Sequence, residues 1–266
     1  MAAEKVRLDT LLAQRGLFSS RSRAAASVMA GEVRIGDAGQ RAAKPGMLVD
    51  DDVALSVDEA PRFVSRGGVK LANALAATGV DPMHRKCLDI GASTGGFTDC
   101  LLQAGAAHVV CVDVAYGELD WRLRTDERVT VLERTNARGL LADQLPYAPD
   151  LIVCDVSFIS LAKVLPAVLA CAAPRFDALA MVKPQFEVGR EQVGKGGVVR
   201  SVPARQAAVV SVARCARDTA GASVLGFAPS GLSGPKGNLE TFVWLAEGGR
   251  PGAIDDLEAA VAAVDV

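Results

Sequence analysis

The sequence predicts an α/β chain: a large domain built on a mostly parallel sheet covered on both faces, preceded by a small α+β module. Three observations carry this. From about residue 67 onward, short apolar runs alternate with longer helical patterns, as in successive βαβ units. The run at 87–90 breaks into a glycine loop, G-A-S-T-G-G, that opens a helix. A second run at 108–112 ends in Asp113, about 24 residues after Asp89, the spacing of a doubly wound nucleotide fold.

The loop of Gly91, Ala92, Ser93, Thr94, Gly95 and Gly96 lets a backbone come close to a ligand. Free N–H groups at a helix start favour a negative group such as a carboxylate. A carboxylate at the tip of the second strand suits a ribose diol. Alone, the glycine loop also fits folds that do no chemistry. With Asp113 the pair reads as an adenosyl-ligand site rather than a structural turn.

Strands are expected near 86–90, 108–113, 129–133, 151–155, 177–183, 222–228 and 240–246. Helices are expected near 69–77, 94–104, 117–124, 160–172, 202–219 and 254–263. The first 60 residues form the small module. Apolar positions at helical spacing over 7–15 stop at Gly16, Ser19 and Ser20 offer caps for 21–30, and short strands follow at 32–35 and 53–57. Residues 61–66 read as a linker and 67–266 as the large domain.

At 266 residues, 50% hydrophobic and 5% aromatic, the core is aliphatic and alanine-rich. A net charge of −2 gives no global basic field, so any nucleic-acid site is a local patch. Six scattered cysteines read as reduced, buried thiols in a cytoplasmic protein with no disulfide frame, and the two histidines, His84 and His108, read as surface or strand-end residues with no metal centre. Residues 1–15 lack the apolar core of a signal peptide, and the longest apolar stretch, 151–174, is broken by Asp155, Ser157, Ser160 and Lys163. It reads as a buried strand and helix, not a membrane span.

Polar residues end otherwise apolar strands. Asp155 closes the run at 151–154, Lys183 the run at 179–182, and Glu240 precedes the last strand; Lys70 stands at the head of the domain. A lysine ending a buried strand needs a nearby carboxylate, here Asp155 or Glu240. The alternative is a structural ion pair. Asp99 and Asp120 read as surface carboxylates, and Phe158 and Phe186 either stack on a base or pack in the core.

The N-terminal pattern R-L-D-x-L-L…S-R-S-R-A…G-x-V-R-I-G…K-P-G resembles the S4 RNA-binding domain. That resemblance implies RNA contacts through Arg7, Arg21, Arg23, Arg34 and Lys44, mainly to phosphates and shape. Further on, S-R-G-G-x-K-L, D-x-G-A-S-T-G-G-F, V-D-V-A-Y-G, E-R-T-N-A-R, D-V-S-F-I-S-L, V-K-P-Q-F-E and G-P-K-G-N-x-E occur in order. Together they resemble the TlyA, or haemolysin-A-like, ribosomal RNA 2′-O-methyltransferases, a branch of the FtsJ-like class.

The resemblance implies a seven-stranded Rossmann-like domain that takes S-adenosylmethionine as donor and a cytidine ribose of 16S or 23S ribosomal RNA, or both, as acceptor. It implies a catalytic Lys70, Asp155, Lys183 and Glu240. The donor is expected on the loop 91–96, on Asp113 and Val114, and on Thr135 and Asn136. Asp89 either meets the donor's ammonium through water or braces the loop. Arg66 and Arg134 border the crevice, facing phosphates or only solvent. The expected partners are ribosomal RNA and ribosomal subunits, met by a monomer with no membrane and no metal. The alternatives are a non-catalytic ribosome-assembly protein and a membrane-active haemolysin. Gly231 and Ser201 depart from the family pattern, where relatives often carry proline and aspartate.

Overall fold

The computed structural model describes residues 5–58 and 61–264. The chain divides into two compact units, Met1–Pro61 and Arg62–Val266.

In the first unit, strand β1 (Lys5–Arg7) runs straight into helix α1 (Leu8–Gln14), whose Leu8, Leu11 and Leu12 are buried at helical spacing. Helix α2 (Arg21–Ala30) starts where the Ser20 side chain accepts the Arg23 N–H and ends at Gly31, which takes φ 77°. Leu8, Leu12, Ala24 and Val28 join the two helices in one core. Strands β2 (Val33–Ile35), β3 (Gln40–Arg41), β4 (Leu48–Asp50) and β5 (Leu55–Val57) complete the unit. β2 lies between β3 and β5, and β4 pairs antiparallel with β1. β1, β3 and β4 were not expected from the sequence; runs of two or three residues are too short for alternation to register.

The second unit opens with helix α3 (Arg66–Thr78), followed by β6 (Lys86–Ile90), α4 (Gly96–Gln103), β7 (His108–Val112), α5 (Trp121–Arg124), β8 (Val129–Leu132), β9 (Leu151–Cys154) and α6 (Leu165–Leu169). Then come β10 (Asp177–Val182), α7 (Pro184–Glu187), α8 (Val202–Ala220), β11 (Ser223–Pro229), β12 (Thr241–Ala246) and α9 (Leu257–Ala262). The seven strands lie in the order β11-β12-β10-β9-β6-β7-β8. β12 is antiparallel to both its neighbours, while β6 to β10 run parallel.

Both faces of this sheet are buried, which is why its strands read as continuous apolar runs. Leu88, Ile90, Val110, Val112, Ile152 and Cys154 face a core with α6, α8 and α9. Cys87, Val109, Cys111, Leu151 and Val153 face the opposite core with α3 and α4. Each large aliphatic side chain so enclosed stabilises the fold by about 1.5–3 kcal/mol. Five of the six cysteines are buried free thiols, and burial pushes the Cys87 thiol up to about 12.

Several helices differ from expectation; α7 was not expected, and α9 begins at Leu257, three residues after the expected 254. The segment expected at 117–124 is helical only at Trp121–Arg124, because Gly117 turns at φ 79° and Asp120 caps the Arg122 N–H. The segment expected at 160–172 is a 3-10 turn, Leu161–Lys163, then the short α6 with Pro166 in its first turn; proline cannot donate to the preceding turn, so the two pieces do not fuse. α3 begins three residues before the expected 69, capped by Ser65 on the Gly67 N–H. Ser201 still caps α8, accepting the Ala204 N–H at 3.4 Å. Gly231 takes φ 72°, a conformation closed to proline.

Candidate active site

Parallel strands deliver their carboxyl ends to one edge of the sheet, so Gly91, Asp113, Asp155 and Lys183 gather there. β12 runs the other way, and its first residue, Thr241, is registered against Val182, the last of β10. Glu240, just before β12, therefore reaches the same edge as Lys183. α3 brings Lys70 to it from the side.

The four charges form two ion pairs. Lys183 Nζ lies 2.5 Å from Asp155 Oδ1 and donates to Ser157 Oγ at 2.7 Å. Lys70, 7% exposed, pairs with Glu240, 3% exposed. Of the two partners open to Lys183 from the sequence, the fold selects Asp155. Pro184 fixes where the lysine stands: it occupies the first position of α7 and stops β10 at Val182. A buried ion pair that loses one member leaves an uncompensated charge worth about 3–5 kcal/mol, so Glu240 holds Lys70 firmly, while the half-buried Lys183 is directed by two partners.

Two cavities meet at this edge. One, about 490 Å³, is lined by Asp113, Val114, Thr135, Asn136, Ser157 and Phe158. The other, about 430 Å³, is lined by Arg66, Lys70, Ala92, Thr94, Gly96 and Pro235. Gly91, Ser93 and Asp155 line both and form the neck between them. Only glycine fits at Gly91: it takes φ 81°, and a Cβ there would stand 2.7 Å from the Asp155 carbonyl oxygen. Gly96 is equally constrained, since its Cβ would meet the Ser65 hydroxyl and the Gly68 nitrogen of α3. Ser93, Arg134 and Phe158 hold positive φ without being glycine. Such backbone strain persists where the surroundings over-determine it, commonly at ligand sites.

Residues 63–247 match the FtsJ-like methyltransferase family, and residues 6–55 match the S4 domain. The chain belongs to the FtsJ-like methyltransferase family. It is 52% identical over 245 residues to the 16S/23S rRNA (cytidine-2'-O)-methyltransferase TlyA of Mycobacterium tuberculosis, covering 91% of this chain and 90% of that one. It is 35% identical over 240 residues to Hemolysin A of Brachyspira hyodysenteriae, covering 88% and 97%. A solved structure from Streptococcus thermophilus that carries a hemolysin name has a TM-score of 0.69 and 39% identity, covering 98% of this chain and 96% of that one.

Within this family fold, the donor-side residues expected from the sequence do not all meet at the larger cavity: Gly91 and Ser93 line both cavities, Ala92, Thr94 and Gly96 line the smaller one, and Gly95 lines neither. Val114, Thr135 and Asn136 line the larger cavity directly. Asp113 lines it too, while its carboxylate accepts the Ser93 and Ala115 N–H groups at 2.8 Å each and so fastens the glycine loop. Asp89 lines neither cavity. It is fully buried beneath the loop, accepts the Thr98 hydroxyl at 2.7 Å, and leaves Oδ1 without a hydrogen-bond partner among the described residues. Burial first, opposed by the Thr98 hydrogen bond and helped by the charge of Asp155, pushes its carboxyl up to about 7. Phe158 is 91% exposed at the cavity rim, with Phe186 at 5.3 Å.

The cations expected to meet RNA are held in different ways. In the first unit, Arg7 and Arg21 both pair with the buried Asp9, at 2.7 and 3.3 Å; the Arg7 hydrogen bonds hold its carboxyl down at about 2. Arg34 pairs with Asp58 at 2.8 Å, Arg23 donates to Ser19 at 3.4 Å, and Lys44 has no ion pair among the described residues. In the second unit, Arg66 donates to the Ser233 carbonyl at 2.7 Å, and Arg134 stacks 4.5 Å over the Tyr116 ring.

Two contacts escaped the sequence reading. Ser157 is the second partner of Lys183, and its place two residues after Asp155 was the only available signal. Asp99 is half-buried rather than a free surface group: it accepts the Val64 N–H at 2.8 Å and the Gln103 amide at 2.9 Å. Among the described residues no cluster of histidine, cysteine or carboxylate is arranged to hold a metal ion, and no helix is long and apolar enough to cross a membrane.

Proposed function

We propose that this protein transfers a methyl group from S-adenosylmethionine to the ribose 2′-hydroxyl of a cytidine in ribosomal RNA, acting in the cytoplasm as a monomer. The single observation that carries the reading is Asp155, which lines both cavities at their neck and holds the Lys183 amine together with Ser157. That arrangement suits one cavity for the donor and the other for the acceptor.

The residues present fit the donor. The larger cavity has the size of an ordinary small-molecule site. Gly91 admits a close backbone approach. The orphaned Oδ1 of Asp89 is a buried acceptor waiting for a donor group, which a water linked to an ammonium supplies. Asp113 takes the ribose, and Thr135 and Asn136 border the adenine. The loop Gly91, Ala92, Ser93, Thr94, Gly95 and Gly96 takes the amino-acid end.

The donor supplies an already electrophilic sulfonium methyl, so the chain's task is alignment and management of the proton. Lys183 holds the acceptor hydroxyl by hydrogen bond and meets the negative charge on its oxygen as the oxygen–methyl bond forms and the sulfur–methyl bond breaks, and the hydroxyl proton leaves past the amine to solvent. Asp155 and Ser157 fix the lysine's direction. Lys70 and Glu240, buried as a pair, set the far wall against which the ribose rests. Arg7, Arg21, Arg23, Arg34 and Lys44 hold RNA from the S4 domain, and Arg66 and Arg134 hold phosphates at the cavity mouths. The rRNA (cytidine-2'-O)-methyltransferase names of the relatives support this reading of acceptor and chemistry.

The test is transfer of labelled methyl to ribosomal RNA by purified protein, with the modified riboses mapped. Lys183→Ala is expected to abolish transfer while donor affinity changes less than about threefold, the pattern of an interaction made in the transition state only. Retained turnover refutes the role of Lys183. Release of dye from liposomes without methyl transfer would favour the haemolysin reading instead.

A further inference from the structure

One charged, glycine-rich stretch plays no part in the chemistry above. Residues 189–200 begin six residues after Lys183 and form an ordered strap. A 3-10 turn spans Arg190–Gln192, and the Gly194 N–H donates to the Val198 carbonyl at 3.0 Å. Gly196 and Gly197 reverse the tip at φ 83° and 81°. The Lys195 and Gly196 N–H groups there donate to no other described residue.

One buried side chain fastens the strap. Asn238, 2% exposed, accepts the Val199 N–H through Oδ1 at 2.9 Å and donates through Nδ2 to the Gly197 carbonyl at 2.8 Å. It stands two residues before Glu240, so a single loop carries both this clasp and the partner of Lys70. The same loop puts Pro235 into the wall of the cavity beside Lys70, and its Ser233 carbonyl accepts from Arg66.

The charges on this face are uncompensated. Arg190, Lys195 and Arg200 on the strap and Lys236 on the facing loop are exposed and have no ion pair among the described residues. On the same unit Arg122, Arg128, Arg214 and Arg217 are matched with Asp120, Asp126, Glu258 and Asp218, while Arg138, Lys163 and Arg175 are exposed and unpaired among the described residues but lie apart from one another in the chain. Lys236 lies along Gly197, where a Cβ would sit 3.5 Å from its Cδ. The strap's carboxylate, Glu191, folds back over Gly189, where a Cβ would collide with it.

We propose that the strap and Lys236 form a preordered track for the phosphates of the RNA strand that leaves the cavity beside Lys70. The inference rests on RNA being the acceptor. Exposed cations without counter-charges gain on meeting a polyanion by releasing its condensed ions. Glycines at the tip leave room for a sugar–phosphate backbone, and a strap already clasped by Asn238 avoids the entropy of ordering on contact. Contacts of this kind set register without reading base edges.

The experiment uses the full chain with Arg190→Ala, Lys195→Ala and Lys236→Ala combined, and Arg175→Ala, at the opposite end of β10, as control. Binding to protein-free ribosomal RNA is followed against salt, and methyl transfer to ribosomal subunits is followed kinetically. The triple variant is expected to flatten the log–log salt slope by about 3 and to raise the KM for subunits at least about tenfold. Donor affinity and the kcat at saturating acceptor stay unchanged, and Arg175→Ala behaves as the parent protein. A parent protein that methylates, with a triple variant of unaltered slope and KM, overturns the track and leaves the methyltransferase reading intact. A parent protein that methylates nothing refutes that reading, while the salt slope still decides the track. A raised KM for subunits with unaltered binding to free RNA also overturns it, in favour of an acidic protein partner. Asn238→Ala is expected to expose Arg190, Lys195 and Arg200 to trypsin and to raise the same KM; no gain in cleavage of the folded variant refutes the clasp.

Discussion

Replacing Asp89 by asparagine isolates the energetic cost of a buried carboxylate under the glycine loop. In the folded chain this carboxyl is pushed from 3.8 up to about 7, chiefly by burial. The folded state therefore holds its proton more tightly than the unfolded state does. Stability from this residue falls as pH rises from about 4 to about 7 and is level above that. The displacement from 3.8 to about 7 is worth about 4 kcal/mol in all, of which about 3 kcal/mol is lost between pH 5 and pH 8. Asparagine has no charge to desolvate. Its amide leaves a donor unpaired at a cost of about 1–3 kcal/mol, but that cost does not vary with pH. Urea unfolding of both proteins at pH 5 and pH 8 is the assay, and all other groups titrate alike and cancel. The difference in unfolding free energy is expected to move toward Asp89→Asn by about 3 kcal/mol between the two pH values. A pH-independent difference refutes the claim that Asp89 is an uncompensated buried acid. If Oδ1 serves the donor's ammonium, donor affinity of the parent protein also rises with pH through about 7, and that rise is absent in the variant.

Further predictions concern the two lysines. Ser157→Ala leaves Lys183 with Asp155 alone and removes a hydrogen bond to a charged group worth about 1.5–3 kcal/mol; kcat is expected to fall about tenfold to a hundredfold, with Ser157→Thr restoring most of it. An unchanged kcat shows that Ser157 does not direct the lysine. Glu240→Ala strands the buried Lys70 and is expected to cost about 3–5 kcal/mol in urea unfolding. Replacing both Lys70 and Glu240 by methionine is expected to recover most of that stability yet give no labelled product. Turnover by the double variant dismisses the pair from the site.

Much of this protein is written along the chain. Burial on both faces forces continuous aliphatic runs, so residues 87–90, 108–112, 151–154 and 178–182 announce their strands without reference to anything distant. The glycine loop and the charged residues that end those runs are equally local, because a strand cannot bury a lysine and a tight turn cannot hold a side chain at Gly91. What depended on tertiary structure was partnership. Lys183 meets Asp155 because β9 lies beside β10, and Glu240 meets Lys70 because β12 enters the sheet reversed, with its start at the edge where the parallel strands end. Neither fact has a period or a spacing. The same holds for the burial of Asp89 under α4, the clasp of Asn238 on the strap, and the shortness of α5 and α6. Local pattern registers whether a residue faces water or core; which two charges touch is set by strand order and direction, and these emerge only when the sheet is assembled.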